Sequence, residues 1–316
     1  MPRTEIPDVV YDAAFDACPV CGSRSLLHGA LTSTAGFMSQ PNVDHSRCND
    51  CGSYFVNPQP SAASLEQFYS SQAVEDLVQD KILSRSLDRY FDPHLRDYFV
   101  EHRVTPLRQY LRPGGSLLDV GCGVGVFVRV MQDLGYRAHG TDVSVRSVSV
   151  GRDRLGLGEA LSVSDWSESM SGVYDAITAW TLIEHLKNPA GFLNKASAAV
   201  APGGILLVEC PTVDSLLFRH LKSSFFWVMP YYHLFLFSRG GMRAMLAGHG
   251  FDLLQEYDMP RNWYFVASVC RSLGLDVDAL ATGKWPDVVK RIDEIFDDIA
   301  REQGLSSTVQ FIARRR

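Results

Sequence analysis

The chain has 316 residues, enough for one large domain and a small one, and 46% of them are apolar, ordinary for a folded globular protein. Thirty-six acidic residues against 30 basic ones give a net charge of −6, so there is no basic excess to track a nucleic-acid backbone. No apolar run of about 18 residues occurs, and Met1-Pro-Arg-Thr-Glu-Ile-Pro7 lacks a signal-peptide pattern. The expectation is a cytoplasmic protein with no membrane and no nucleic-acid partner.

Four of the seven cysteines form two knuckles, Cys18-Pro-Val-Cys21 and Cys48-Asn-Asp-Cys51, each followed by glycine (Gly22, Gly52). A C-x-x-C turn sets two thiolates on one side of a tight loop, and two such loops complete a tetrahedral zinc site. The glycine lets the next N–H turn back toward sulfur and stabilise its charge. A redox pair would need the strand–helix junction of a thioredoxin-like unit, and none is visible; disulfides are unfavourable in a reducing compartment. Four sulfur ligands leave no open coordination position, so Cys18, Cys21, Cys48 and Cys51 are expected to hold a structural Zn2+. Cys122, Cys210 and Cys270 read as small buried or pocket-edge residues. His28 and His45 are surplus to the site and are expected at the surface.

Residues 1–60 therefore read as a zinc ribbon, and 61–111 as a helical lid or linker. Ser61 is an N-cap for a short helix with Leu65, Phe68 and Tyr69 on one face. A polar helical stretch follows over about 73–87. Asp92-Pro93 is a cap followed by a first-turn proline, after which Leu95, Tyr98, Phe99 and His102 recur at helical spacing. Pro106 should kink or restart that helix before Arg112-Pro-Gly-Gly115 closes it.

Next comes the most informative stretch. Ser116-Leu-Leu-Asp-Val120 is an apolar strand, and Gly121, Gly123 and Gly125 make a turn that opens a helix over about 126–134. The glycines let the backbone bend sharply and approach a ligand, and the helix aims unpaired N–H groups at it. The spacing is G-x-G-x-G, not the dinucleotide G-x-G-x-x-G, because position 126 is valine. Asp119 stands two residues before the first glycine, where it would repel a pyrophosphate and welcome an ammonium. The pattern points to a cationic amino-acid ligand.

Four further segments follow in order. Tyr136–Asp142 reads as a strand ending in an acid, with helix N-cap as the bland alternative for Asp142. Ser164-Asp165-Trp166 ends a short strand over 161–163. Tyr174–Leu186 is a strand running into Glu184-His185, and Val200–Glu209 is a strand behind a Pro-Gly-Gly turn. Together these residues resemble the class I S-adenosylmethionine-dependent methyltransferases. The resemblance implies an α/β, Rossmann-like sheet over 112–316, in the order 3-2-1-4-5-7-6, with Phe251–Tyr257 sixth and Thr308–Ala313 a closing antiparallel strand. An amphipathic helix over 285–303 lies between those two. The resemblance also implies S-adenosyl-L-methionine as cofactor, held by Asp119, Gly121, Cys122, Gly123, Gly125, Asp142, Val143, Asp165, Trp166 and Trp180. Asp165 would take the adenine amine, and the helices of 61–111 would lie across the cofactor mouth.

The segment Phe225–Ser238 resembles the proline-then-H-L-x-x-F-S element of zinc-bearing sugar and small-molecule methyltransferases. That resemblance makes His233 a candidate general base for O- or C-methylation, with Glu184, His185 and Tyr232 as further catalytic candidates and Tyr69, Trp227 and Tyr231 toward the substrate. The E-H order that follows tyrosine in the C-methylating subgroup is missing. The bland readings are that His185 caps its loop and that the aromatic run is core or a homodimer face. The leading expectation is methyl transfer to a small molecule, such as a nucleotide-linked sugar or natural-product intermediate. RNA methylation through the ribbon, and a non-catalytic ribbon module, are the alternatives.

Overall fold

The computed structural model describes residues 9–32, 43–69, 83–229, 231–260, 264–273 and 287–316. Three antiparallel strands, β1 (Leu26–Thr32), β2 (Asp44–Cys48) and β3 (Tyr54–Val56), make up most of the N-terminal sheet. Each cysteine pair sits on a tight turn beside it. Gly22 N–H donates to Cys18 O at 2.8 Å and Gly52 N–H to Cys48 O at 3.0 Å. Both glycines are left-handed (φ 78° and 79°), which explains the residue type after each knuckle.

Ser61 caps the helix Ala62–Tyr69, accepting from Ser64 N–H at 3.2 Å. Leu65 and Phe68 are buried on that helix, while Tyr69 is exposed. Of the polar stretch expected over 73–87, only the part from Leu83 lies within the described residues, in the helix Leu83–Phe91. Asp92 then caps Pro93–Phe99, its Oδ1 accepting from His94 N–H at 2.9 Å and Leu95 N–H at 3.1 Å. The helix continues through a wide turn, Val100–Val104, into Thr105–Arg108. Pro106 is the cause: it has no N–H to offer the carbonyl one turn back. That carbonyl, His102 O, accepts from Gln310 Nε2 at 2.9 Å instead.

The main sheet begins with five parallel strands, β4 (Ser116–Val120), β5 (Arg137–Asp142), β6 (Leu161–Val163), β7 (Tyr174–Trp180) and β8 (Val200–Pro211). A two-residue strand, β9 (Phe235–Leu236), lies in the following insertion, and β10 (Phe251–Met259) and β11 (Thr308–Arg315) finish the sheet. The spatial order is β6-β5-β4-β7-β8-β11-β10, with β11 antiparallel to both neighbours. This is the expected 3-2-1-4-5-7-6 arrangement. The helix Asp287–Glu302 precedes the closing strand, which runs two residues beyond the expected end; positions 285 and 286 fall outside the described residues.

Burial alternates with the strand period of two. Leu118, Val120, Ile177, Ala179, Leu206 and Val208 face one layer with Phe192 and Leu193. Leu117, Ala138, Ala176, Ile205 and Leu207 face the other with Phe127, Met131 and Phe99. The first layer does not stop at the sheet. It continues into Phe55, Val56, Phe235 and Phe237, because β9 pairs with β3 as the fourth strand of the N-terminal sheet. Ser238 reinforces this join: its hydroxyl donates to Cys51 O and accepts from Gly241 N–H at 2.8 Å, so one residue caps a main-domain helix and holds a cysteine knuckle. The ribbon sheet thus includes a strand from outside residues 1–60. Most of the aromatic run is core rather than an exposed face: Phe225, Tyr231, Phe235 and Phe237 are fully buried. His45, expected at the surface, is also fully buried, on the middle strand β2 that β1 and β3 flank on both edges. Among the described residues, no helix is long and apolar enough to cross a membrane.

Candidate active site

The turn after β4 is stitched to its neighbour by Gly121 N–H and Cys122 N–H, which both donate to Thr141 O at 2.8 and 3.0 Å. Gly125 has φ 80°, and a Cβ there would meet Leu157 Cδ1 at 2.6 Å, so a side chain would be strained and crowded. A Cβ at Gly123 would meet nothing within 4 Å, although φ is 56°. The two glycines therefore differ: Gly125 lets the turn pack, and Gly123 leaves space open on the ligand side.

That space is part of a cavity of about 770 Å³. One wall is the sheet edge, with Asp119, Gly121, Cys122, Gly123, Val126, Phe127, Trp180 and Thr181. The opposite wall is the helical segment, through Arg89, His94, Leu95, Tyr98, Phe99, His102 and Arg103, and Trp227 and Met259 close the side. A binding site at the carboxyl ends of parallel strands is where this sheet topology puts one. Thr181 marks the spot in its backbone: a β-branched residue at φ 49° is a rare, costly conformation, and it lines the cavity.

Asp119 is 2% exposed and accepts from Thr178 Oγ1 at 2.7 Å. Burial pushes its carboxyl up to about 7, against the opposing pull of the Thr178 hydroxyl and the Arg103 guanidinium. A buried carboxylate short of partners is costly, and a ligand ammonium delivered into the cavity would offset that cost. Arg103 itself is committed elsewhere. Its Nη2 donates to Glu209 Oε1 at 2.7 Å, and its guanidinium lies 4.9 Å from the Trp180 ring centre. Glu209 is fully buried at the end of β8, so this ion pair bolts the helical wall to the sheet.

Asp142 ends β5 beside the glycine turn, its Oδ2 accepting from Gly123 N–H at 2.8 Å and its Oδ1 from Ser144 N–H at 2.8 Å. Burial pushes its carboxyl up. The helix cap here is Ser144, not Asp142, which removes the bland alternative. Val143 is exposed on the adjoining rim. Asp165 is exposed and caps the short helix Trp166–Ser169 through Ser167 N–H at 2.8 Å, while Trp166 packs edge-on against Phe192. None of Asp142, Val143, Asp165 and Trp166 lines the cavity itself; they sit at and just past the ends of β5 and β6.

Glu184, His185 and His233 come together: one potential ligand atom from each lies within 4.8 Å of the other two. Tyr232 stands beside them, its ring 6.4 Å from that of His185, and Tyr69 donates to Tyr231 O at 3.4 Å. This group lies behind the cavity wall rather than on it. His233 is 1% exposed, with its ring 5.1 Å from Trp227, which among the described residues is the one member of the aromatic insertion that reaches the cavity. Sequence reasoning missed His94, Arg103 and Glu209, and gave His102 no role beyond a helical face. The available signals were a glutamate closing an otherwise apolar strand and a helix whose periodic face carried a histidine.

At the ribbon, Cys18 and Cys51 sulfurs are 3.7 Å apart and Cys21 and Cys48 sulfurs 3.6 Å. Tetrahedral ligands at a Zn–S distance of about 2.3 Å sit about 3.8 Å apart, so the four-cysteine cluster is compatible with a zinc ribbon. Backbone donors already face the sulfurs, Val20 N–H to Cys18 and Cys51 N–H to Cys48.

A family model described as a methyltransferase domain matches residues 93–256, more than half of the chain. The ubiquinone biosynthesis O-methyltransferase of Burkholderia ambifaria is 30% identical over 153 residues, 45% of this chain and 63% of that protein. Its namesake from Thiobacillus denitrificans is 30% identical over 143 residues, 41% of this chain and 60% of that protein. The chain thus spans less than two thirds of the length of these curated relatives. A solved structure of a methyltransferase from Archaeoglobus fulgidus aligns with 72% of this chain and 97% of its own, at 16% identity and a TM-score of 0.49. The sheet, the glycine turn and the family match define one class: the chain belongs to the class I S-adenosylmethionine-dependent methyltransferases.

Proposed function

We propose that the protein transfers the methyl group of S-adenosyl-L-methionine to a hydroxyl oxygen of a small molecule. The observation that carries this reading is the buried Asp119 carboxylate facing an open cavity across a Cβ-free turn. Asp119 would take the cofactor ammonium, the backbone of 121–125 its methionine chain, and Asp142 its ribose hydroxyls, with Val143, Asp165 and Trp166 toward the adenine. The bound cofactor supplies an activated methyl on a sulfonium. The chain's task is then to hold the acceptor oxygen in line and exclude water, an effect worth up to about 7–11 kcal/mol. The rings of Tyr98, His102, Trp227 and Trp180 around the cavity suit a flat or ring-shaped acceptor.

The acceptor proton must leave as the O–CH3 bond forms. His233, the base expected from sequence, would have to act past Trp227. His102 lines the cavity, and its Nδ1 lies 2.8 Å from the Tyr257 hydroxyl, an orienting partner of the kind a general base needs. We therefore assign His102 the proton, a contribution of about 10²–10⁴-fold in rate. The relatives' O-methyltransferase names favour oxygen over carbon as the accepting atom. The ribbon cysteines would hold a structural Zn2+ that keeps β3 in place for β9. The test is transfer of labelled methyl to a panel of phenols, sugars and hydroxylated acids, with S-adenosylhomocysteine binding measured in parallel. Binding without transfer to any hydroxyl acceptor overturns the acceptor class; absence of binding overturns the cofactor reading.

A further inference from the structure

We infer that Glu184, His185 and His233 form a second metal site, distinct from the four cysteines, that takes a divalent first-row transition cation such as Zn2+ or Co2+. The inference is independent of the methyl-transfer reading, and its test needs neither cofactor nor acceptor.

Three observations support the site. First, the ligand atoms converge: one from each residue lies within 4.8 Å of the others, and the two imidazole rings are 4.7 Å apart between centres. Second, the carboxylate is unsatisfied. Glu184 is fully buried, and among the described residues neither of its oxygens has a hydrogen-bond partner outside its own residue. A buried carboxylate left in that state is expensive and needs a cation, a proton or a donor. Third, His233 is set up as a ligand. Its Nδ1 lies 2.7 Å from Trp227 O, and a carbonyl can only accept, so Nδ1 carries the hydrogen. In the neutral ring the lone pair is then on Nε2, away from that anchor. An imidazole whose second nitrogen donates to a backbone carbonyl is the common outer arrangement around metal-bound histidine.

The backbone fixes the three ligands before any ion arrives. Glu184 and His185 sit on a single tight turn, Ile183–His185, closed by His185 N–H to Leu182 O at 3.0 Å. His233 N–H is held by Met229 O at 2.6 Å. The ligands come from two different parts of the fold: the turn leaving β7 in the main sheet, and the insertion that goes on to pair with the ribbon sheet as β9. An ion here would cross-link the two sheets directly behind Trp227 and Thr181, both of which line the cavity. Two imidazoles with one carboxylate favour transition cations over Mg2+ or Ca2+, which prefer all-oxygen shells. Three protein ligands also leave a coordination position for water.

The experiment is a Co2+ titration of the metal-stripped full chain. Thiolate-to-cobalt charge transfer in the near ultraviolet reports the cysteine site, and weaker visible bands without that transfer report a nitrogen–oxygen site. The wild type is expected to take up two equivalents with both signatures. In E184Q and H233A the second equivalent should weaken by more than about 100-fold while the thiolate signature stays. Retention of that signature also shows that the variants fold. If a variant loses both signals, X-ray absorption on the wild type carrying two equivalents decides, since a nitrogen–oxygen shell must accompany the sulfur shell. Uptake of a single equivalent by the wild type, a pure sulfur shell, or a second equivalent indifferent to both substitutions overturns the proposal and leaves Glu184 as an internal carboxylic acid.

Discussion

Two buried carboxylates stand at the ends of neighbouring strands and face opposite fates. Asp119 opens onto a cavity, with a threonine hydroxyl bonded to it and Arg103 in its electrostatic surroundings. Glu184, just past the end of β7, is sealed between His185 and His233 with no donor from another described residue. Burial pushes both carboxyls upward, Asp119 to about 7 and Glu184 well above its ordinary range. The difference lies in what can reach them. The open cavity lies beside Asp119, whereas Glu184 lies behind the cavity wall with two imidazoles around it. The ends of β4 and β7 thus present a buried carboxylate twice, once to the cavity and once to the interior.

The largest effect should come from removing the scaffold that seals Glu184. Cys48→Ser is expected to abolish zinc at the four-cysteine site, since structural zinc contributes about 10–16 kcal/mol of apparent binding free energy. With it the β3–β9 pairing should fail, read as loss of the ribbon from the thermal unfolding transition and of metal by elemental analysis. Arg103→Ala should follow at about 3–5 kcal/mol of stability, because buried Glu209 would lose the guanidinium it pairs with. Unchanged denaturant midpoints in that variant would contradict the wall-bolting role.

Asp119→Asn sharpens the contrast. It should cost about 2–5 kcal/mol of cofactor binding by calorimetry, the usual penalty for truncating one side of a buried charge pair. Yet the ligand-free protein should be no less stable, since an expensive charge has been removed. The pH dependence has a fixed sign. Below about 7 Asp119 is protonated, so cofactor affinity should be full above that point and fall as pH drops through it. Ligand-free stability should run the other way. The raised folded pKa adds stability that is fully present below the ordinary carboxyl value and lost as pH rises through about 7. Smaller still is Gly125→Ala, where a Cβ 2.6 Å from Leu157 and a φ of 80° should cost about 1–3 kcal/mol in unfolding free energy. The smallest is Asp165→Ala, expected to lose about 1 kcal/mol of helix capping and only a modest amount of cofactor affinity.

The sheet and the cofactor turn were legible because their signals are local. Asp119, Gly121, Gly123 and Gly125 lie within seven residues of one another, and strand order follows from alternating segments once the turn is placed. The cysteine knuckles are local in the same way. Less legible were features that depend on partners far along the chain. β9 is two residues long and pairs with a strand about 180 positions away, so no periodicity announces it. Arg103 drew no notice because its partner Glu209 lies 106 positions away on another element. His45 was misplaced because five residues of β2 offer too few alternations to show which face is inward. His233 carried a family-like motif, but its distance from the cavity is set by how Trp227 packs, which the motif does not encode.

Calorimetric titration of S-adenosylhomocysteine into the wild type and Asp119→Asn, at about one unit above and one unit below pH 7, bears most directly on the cradle. Tight wild-type binding above that point, weaker binding below it, and loss of both the affinity and its pH dependence in the variant are predicted. Equal affinity in the two proteins at both pH values would contradict it.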